Sequence, residues 1–313
     1  MSSFIARRLV QLVPVLLIMC IVVFSTTLML PGDPTASMLG EHATAEERTE
    51  LRSELGLDQP VVVQFGKWLA RAATGDLGRS LKTKEPVAQM LAARVPVTFE
   101  LTLLAVALSL IIGVPLGILA ALRRNSWIDT AVSAVAMSSM AIPYFWVGIL
   151  LIMFFSIRLG WLPPSGYVPF HVDPITNLKL MIMPAVTIGT AQAALVMRQT
   201  RAAMLGVLLQ DFIRTARAKG AGEKRVIIRH ALRNAMMPVV TVIGLQMGAL
   251  IGGAVVTETV FSLPGLGRMI VDGIFERDFP VVQGAILVVV VGVLVINILT
   301  DLSYAMLDKR VQL

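Results

Sequence analysis

Charged residues are scarce in this sequence, and groups able to carry covalent or metal chemistry are scarcer. Asp, Glu, Lys and Arg make up 15% of the 313 residues, where a soluble domain usually carries about a quarter. That shortage excludes an ordinary soluble globular fold. Cys20 is the only cysteine, which excludes an intramolecular disulfide. His42, His171 and His230 lie far apart, with no cysteine or paired carboxylate beside them, so no metal site is expected. No G-x-x-x-x-G-K-[ST] phosphate loop occurs; GAGEKR (Gly220–Arg225) has neither that spacing nor a strand before it. The apolar runs hold no Ser-His-Asp set, aspartate dyad or His-Glu cluster. The chain is therefore read as a non-enzyme without a cofactor, and any energy from ATP has to come from a partner.

What the chain has in abundance is long apolar runs. With 56% hydrophobic residues and a mean hydropathy of +0.78, it reads as an integral membrane protein. Six runs are long enough to cross once: Leu9–Leu30, Leu101–Leu122, Thr130–Ile157, Leu180–Met197, Ala235–Thr257 and Phe279–Thr300. About 20 residues at 1.5 Å each span the hydrocarbon, and an uninterrupted backbone satisfies itself in lipid as a helix. Thr130–Ile157 exceeds a straight crossing and carries Pro143 near its middle. The first run follows Arg7 and Arg8, as a signal peptide's would. Its length and the lack of a small-x-small cleavage site before Pro31 favour a retained helix.

The positive charges set an orientation. Arg7/Arg8, Arg123/Arg124, the block Arg198–Arg233 and Lys309/Arg310 fall on one side of six crossings, which makes that side, and both termini, cytoplasmic. The opposite side holds the loop Pro31–Pro96, with nine acidic and eight basic residues. The net charge of +7 and the pI near 10 thus reflect topology and contact with membrane lipid; nucleic acid is not an expected partner.

Within the long loop, LPGDPT (Leu30–Thr35) is a Pro/Gly stop. Thr44–Leu57 reads as a short helix with Thr44 as N-cap, Glu47 at the capping-box position and Gly56 closing it. Trp68–Val87 reads as a polar external segment with turns at Gly75, Asp76 and Gly78. Two further external loops are Gly160–Pro169, with Trp161 and Tyr167 suited to the headgroup zone, and the Gly/Pro-broken Phe261–Pro280, read as partly re-entrant.

Against this oily background stands RTARAKGAGEKRVIIRHALRNAMMP, where Arg214–Arg233 holds seven Lys and Arg opposed by Glu223 alone. Gln210–Lys219 has no helix breaker, Gly220 suits the position just past a helix end, and Glu223 opens a second helix that reaches the membrane at Pro238. The expected form is helix, glycine turn, helix. A basic segment of this kind either anchors to anionic headgroups or serves as a handle for a soluble partner.

This block resembles the cytoplasmic EAA-type loop of ABC importer permeases. Arg214-Thr215-Ala216 stands where that pattern has E-A-A, Gly220 matches its glycine and Leu232 its leucine, while His230 and Arg233 replace its Ile and Pro. RTARAKG followed by RHALRNAMMP is similar to the variant in the dipeptide/oligopeptide/nickel branch. LPGDP (Leu30–Pro34), LGLDQP (Leu55–Pro60), GDLGRS (Gly75–Ser80), GWLPPSG (Gly160–Gly166) and FSLPGLGR (Phe261–Arg268) are similar to the same branch, in the same order.

The resemblance implies an all-α, six-span permease with an extended external loop between helices 1 and 2. It would form one domain over 1–313, with external loop 31–96 and coupling loop 205–237, in a bacterial inner membrane. It further implies a second homologous permease subunit, two cytoplasmic ATP-binding subunits and an external solute-binding protein. The chain would work by alternating access, for dipeptides, longer peptides, glutathione-like molecules or chelated nickel. Arg214, Thr215, Ala216, Arg217, Ala218, Lys219, Gly220 and Ala221 would then meet the ATPase.

Within the spans, Gly244, Gly248 and Gly252 repeat every fourth residue, as do Gly113 and Gly117. Such spacing lets helices approach closely. The later set serves either packing within the bundle or a seam beside the pathway; for Gly113 and Gly117 packing is expected. Glu258 at an outer helix end reads as a water-exposed interface group or as a gate carboxylate meeting a cationic peptide terminus. Arg198 is expected to snorkel to the cytoplasmic interface, and Gln192 to bond between helices. A stand-alone secondary transporter remains the alternative; it calls for deep acidic residues or paired broken helices. A membrane enzyme is a third reading that lacks a catalytic set.

Overall fold

The structure, a computed structural model, describes residues 2–29 and 58–307 together with isolated positions from 44 to 53. The Leu30–Thr35 stop and most of the expected helix Thr44–Leu57 lie outside the described residues. Among the described residues the fold is helical, with an isolated antiparallel bridge between Arg79 and Pro86. In chain order the helices are α1 (Ser2–Met29), α2 (Val61–Ala73), α3 (Val87–Leu122), α4 (Trp127–Ala141), α5 (Tyr144–Leu151, continued by a π-helical stretch Ile152–Arg158) and α6 (Pro174–Leu208). There follow α7 (Asp211–Ala218), α8 (Arg233–Gly253, led in by Glu223–Arg225 and a π-helical Val226–Leu232), α9 (Val255–Val260), α10 (Leu266–Phe275) and α11 (Phe279–Leu307).

Four of these helical stretches are long and apolar enough to cross a membrane: α3, α6, Glu223–Gly252 and the Phe279–Tyr304 part of α11. The α4–α5 pair makes a fifth if it is one crossing. In α1 the apolar stretch is Val10–Ser25, shorter than the others. Large apolar side chains stand in the open, such as Val10 and Ile111, each 70% exposed, as expected where lipid replaces water.

The third apolar run is not one straight helix. Pro143 lacks an amide hydrogen and pushes the residue before it out of helical geometry. Ile142 accordingly adopts φ −85°, ψ 127°, and the helices on either side meet at 92°. Pro184 and Pro238 are instead absorbed inside α6 and α8, so the second helix of the basic block runs on through Pro238.

The chain divides into two compact units, with α3 and α11 each contributing to both. One comprises Met1–Thr98 and Pro264–Gly292. In it, α2 was not foreseen as a helix. Phe65 and Trp68 share one face at i, i+3, and their rings lie 5.5 and 5.9 Å from Phe24 of α1. Val87 and Leu91 of α3 pack with Leu266 and Met269 of α10 and Val281 and Ala285 of α11. This burial explains why α3 starts well before the apolar run at Leu101. The turns at Gly75 and Gly78 appear with φ of +84° and +82°, and Asp76 Oδ1 accepts from Gly78 N at 3.0 Å. Asp278, buried just before α11, accepts from Ser80 Oγ and from Leu81 N, which ties this external segment down.

The second unit, Phe99–Leu263 and Val293–Leu313, is built on α6, which packs against α4, α5, α8 and α9. Small residues set its closest approach: a Cβ on Gly113 would lie 2.7 Å from Ala193 O, and one on Gly117 2.6 Å from Thr200 Cβ. The pair expected to serve packing does seat α3 on α6.

Candidate coupling and pathway surfaces

Helix α7 is formed and stopped by local rules. Gln210 is its N-cap residue, in extended geometry (φ −75°, ψ 149°), and Asp211 places a negative charge in the first turn. At the other end Gly220 takes φ +81°. Ala221 N donates to Ala216 O at 3.2 Å and Gly220 N to Arg217 O at 2.9 Å. These are the two bonds of a Schellman closure. Nothing lies within 4 Å of where a Cβ on Gly220 would stand, so backbone conformation alone selects glycine there.

The helix is anchored by one side chain. Ile213 is fully buried with Met204, Val226, Ala231 and Ala235, and Ala216 and Ala221 pack on the same cluster. The sequence-expected residues are thus brought together but face two ways. Ala216 and Ala221 look inward, while Arg214, Thr215, Arg217, Ala218, Lys219 and Gly220 are exposed.

Two of the exposed cations already have local partners. Arg217 spans the turn to Glu223, with Nε donating to Oε1 at 2.6 Å and Nη2 to Oε2 at 3.3 Å. Arg214 Nη1 lies 3.5 Å from Asp211 Oδ1. Lys219, Lys224, Arg225 and Arg229 extend the exposed basic surface.

Along α8, a Cβ on Gly244 would collide with Thr300 Oγ1, and one on Gly248 would lie 3.5 Å from Val293 Cγ1. Both glycines therefore face α11 of the same chain, and Tyr304 Oη donates to Thr241 Oγ1 at 2.8 Å nearby. Gly252 is exposed. Glu258 corrects the expectation of a water-exposed group. It is fully buried and engaged within the fold, because the six-residue α9 packs on α5 and α6. An inter-helix bond does reach Gln192, but through its backbone: Gln246 Nε2 donates to the Gln192 carbonyl at 3.3 Å.

Sequence reading missed the strongest ion pair of this unit. Arg201 Nε and Nη2 bind Asp129 Oδ1 and Oδ2 at 2.6 and 2.7 Å, a two-pronged pair joining α4 to α6. The Asp129 side chain is only 7% exposed. The local signal was Ser126 three residues before Asp129, a capping-box spacing; Ser126 is indeed the N-cap that accepts from Asp129 N. Between α3, α4 and α6 lies an apolar cavity of about 400 Å³, lined by residues including Leu116, Val132, Val135 and Ala194. In the loop before α6, Tyr167 Oη donates to Glu100 Oε2 at 2.9 Å; burial first, then this carboxylate, pushes the phenol up to about 12.

A similar arrangement of helices is found in a solved structure. An inward-facing structure of the MetNI methionine ABC transporter aligns with a TM-score of 0.58 at 19% identity, over 70% of this chain and 97% of that one. That likeness is one of fold. A putative peptide transport system permease protein of Brucella abortus is 45% identical over 100% of this chain and 99% of its own length. Dipeptide transport system permease proteins of Escherichia coli and Alkalihalophilus pseudofirmus are 41% and 40% identical, covering 100% of this chain and 99% and 100% of their own lengths. The binding-protein-dependent transport system inner membrane component model matches residues 113–313, and the model for the N-terminal part of such components matches residues 1–102. Multi-pass apolar helices, a permease fold and relatives alike from end to end place this chain in the family of binding-protein-dependent transport system inner membrane components, the permeases of ABC transporters.

Proposed function

We propose that this chain is one transmembrane subunit of an ATP-driven peptide importer, and that α7 with its glycine turn is the handle through which cytoplasmic ATPase subunits move it. The observation that carries this reading is the form of α7. It is a short helix fixed to the membrane unit by Ile213, closed by Gly220, and basic on the face left open. A rigid, charged, outward-facing helix suits docking against an acidic cleft on a soluble subunit. Relatives with peptide and dipeptide permease names support the cargo class.

In this reading residues 1–313 act as one permease domain, with 31–96 outside and the coupling loop 205–237 and both termini in the cytoplasm. A second permease of the same family, two ATP-binding subunits and a solute-binding protein complete the machine. The binding protein delivers cargo from outside, ATP binding draws the two ATPase subunits together, and α7 transmits that closure to α6 and α8. Hydrolysis resets the pathway inward. Gly244 and Gly248 hold α8 on α11, which leaves the exposed Gly252 face for the seam with the second permease. Glu258 acts from inside the fold as a structural carboxylate of the outer helix end.

The test is uptake of a labelled dipeptide into proteoliposomes that hold the whole complex. The expected result is uptake that needs both ATP and the binding protein. Uptake driven by an ion gradient without ATP would overturn the proposal in favour of a secondary transporter.

A further inference from the structure

Two arginines of α6, one turn apart, have different surroundings. Arg201 is matched by Asp129. Arg198 is exposed, and its Nη1 lies 3.7 Å from the Met140 thioether sulfur. Among the described residues no carboxylate pairs with it.

The direction of the side chain matters more than its exposure. Asp129, near the start of α4, meets Arg201, near the end of α6, and Ala136 further along α4 packs with Ala194 and Met197 further back on α6, so the two helices run antiparallel. Met140 lies eleven residues beyond Asp129, about 16 Å along α4, whereas Arg198 lies only about 4.5 Å from Arg201 along α6. To touch Met140 the Arg198 guanidinium has to point back toward Pro174, the way helical side chains lean. It points away from the end that carries α7 and back along the apolar part of α6. That is the reverse of the snorkelling expected from sequence. A guanidinium turned toward the apolar part of a crossing does not face hydrocarbon; it faces protein or a water-filled cavity. The surface around it fits the second. Met137 and Met140 are 66% and 47% exposed on the same face of α4, with Ser138 beside them. Unbranched thioethers adapt to variable shapes.

We propose that Arg198 lines the substrate pathway and receives the terminal carboxylate of the peptide, while Met137 and Met140 accommodate its variable side chains. The proposal rests on the peptide-importer reading above and adds a residue that selects for a group common to free linear peptides whatever their side chains.

The experiment uses the complete complex with the permease in a Cys20→Ser background, which removes the only native thiol. Arg198→Cys should lower dipeptide uptake about tenfold or more, the effect of losing one charge-assisted hydrogen bond. Aqueous aminoethyl methanethiosulfonate should then modify the thiol and restore uptake by returning a positive charge. The sulfonatoethyl reagent should modify it without restoring uptake, and bound dipeptide should slow both reactions. If the cysteine variant does not assemble, Arg198→Lys should keep uptake where Arg198→Gln loses it. The proposal is overturned if the thiol does not react from water, if uptake is unchanged, or if dipeptide gives no protection, the last result marking a lipid phosphate as the anion. If the unaltered complex takes up no peptide at all, the importer reading fails by itself. The thiol reaction still reports separately whether position 198 faces water.

Discussion

Gly117 with Asp129–Arg201, around α6, and Gly220 with Arg217–Glu223, at the end of α7, use the same residue types for opposite reasons. Gly117 is needed for space, since a Cβ there would stand 2.7 Å from Met197 O. Gly220 has open space around it and is needed for its φ of +81°. The Asp129 side chain is 7% exposed and Arg201 30%, whereas Arg217 and Glu223 are 43% and 60% exposed. Damage around α6 should therefore show first as lost stability, and damage at the turn as lost coupling in a protein that still folds.

The contrast can be broken most severely at Gly117. Gly117→Leu forces α3 off α6 and should cost about 3 kcal/mol or more, overpacking that the facing backbone does not relieve; the folded yield after detergent extraction reports it. Next comes Arg201→Gln, which leaves Asp129 buried and unmatched. Breaking a buried pair costs about 3–5 kcal/mol; with Arg201 partly open, roughly 2–4 is expected, read as a lowered thermal midpoint. Asp129→Asn in the same background should recover part of that loss.

Effects at the turn are smaller in stability and larger in function. Gly220→Val should cost about 1–2 kcal/mol, the penalty of a left-handed residue with a Cβ. Gly220→Asn should be milder, because asparagine tolerates that region. Arg217→Gln should change stability by less than about 1 kcal/mol, as exposed pairs do. If it also leaves uptake intact, Arg217 serves its own turn through Glu223 and the contact surface moves to Lys219, Lys224 and Arg225.

The smallest effect is at Asp173, the N-cap of α6. Its carboxyl is held below the usual range chiefly by the Thr176 hydroxyl, then by the Thr176 and Ile175 amides. A depressed folded pKa stabilises above the unfolded value near 4 and is lost as pH falls through the folded value. Protection of the amides at the start of α6, taken relative to their intrinsic exchange rate at each pH, should fall on acidification below that point and not on raising the pH.

Much of this was legible in the sequence because the rules involved are local. Four of the six apolar runs mark helices long enough to cross, Gly220 after an unbroken ten-residue stretch marks the end of α7, and Pro143 sits where the third run breaks. What escaped depends on partners remote in sequence. Nothing near Asp129 names Arg201, 72 positions away. Nothing around Glu258 shows that α9 folds against α5 and α6, and the lean of Arg198 toward Met140 needs the antiparallel register of two helices. Helix α2 was legible and was missed: Val61, Phe65, Trp68, Leu69 and Ala72 follow helical spacing, and Phe24 of α1 completes that face.

The central claim is that α7 is a lever worked by ATP. It is tested most directly by binding-protein-stimulated ATP hydrolysis and dipeptide uptake for the complex carrying Gly220→Val, compared with Gly220→Asn and the unaltered chain at equal folded yield. The account predicts that both activities collapse with valine and largely survive with asparagine. Normal hydrolysis and uptake in the valine variant would contradict it and leave the loop as an anchor to the membrane surface.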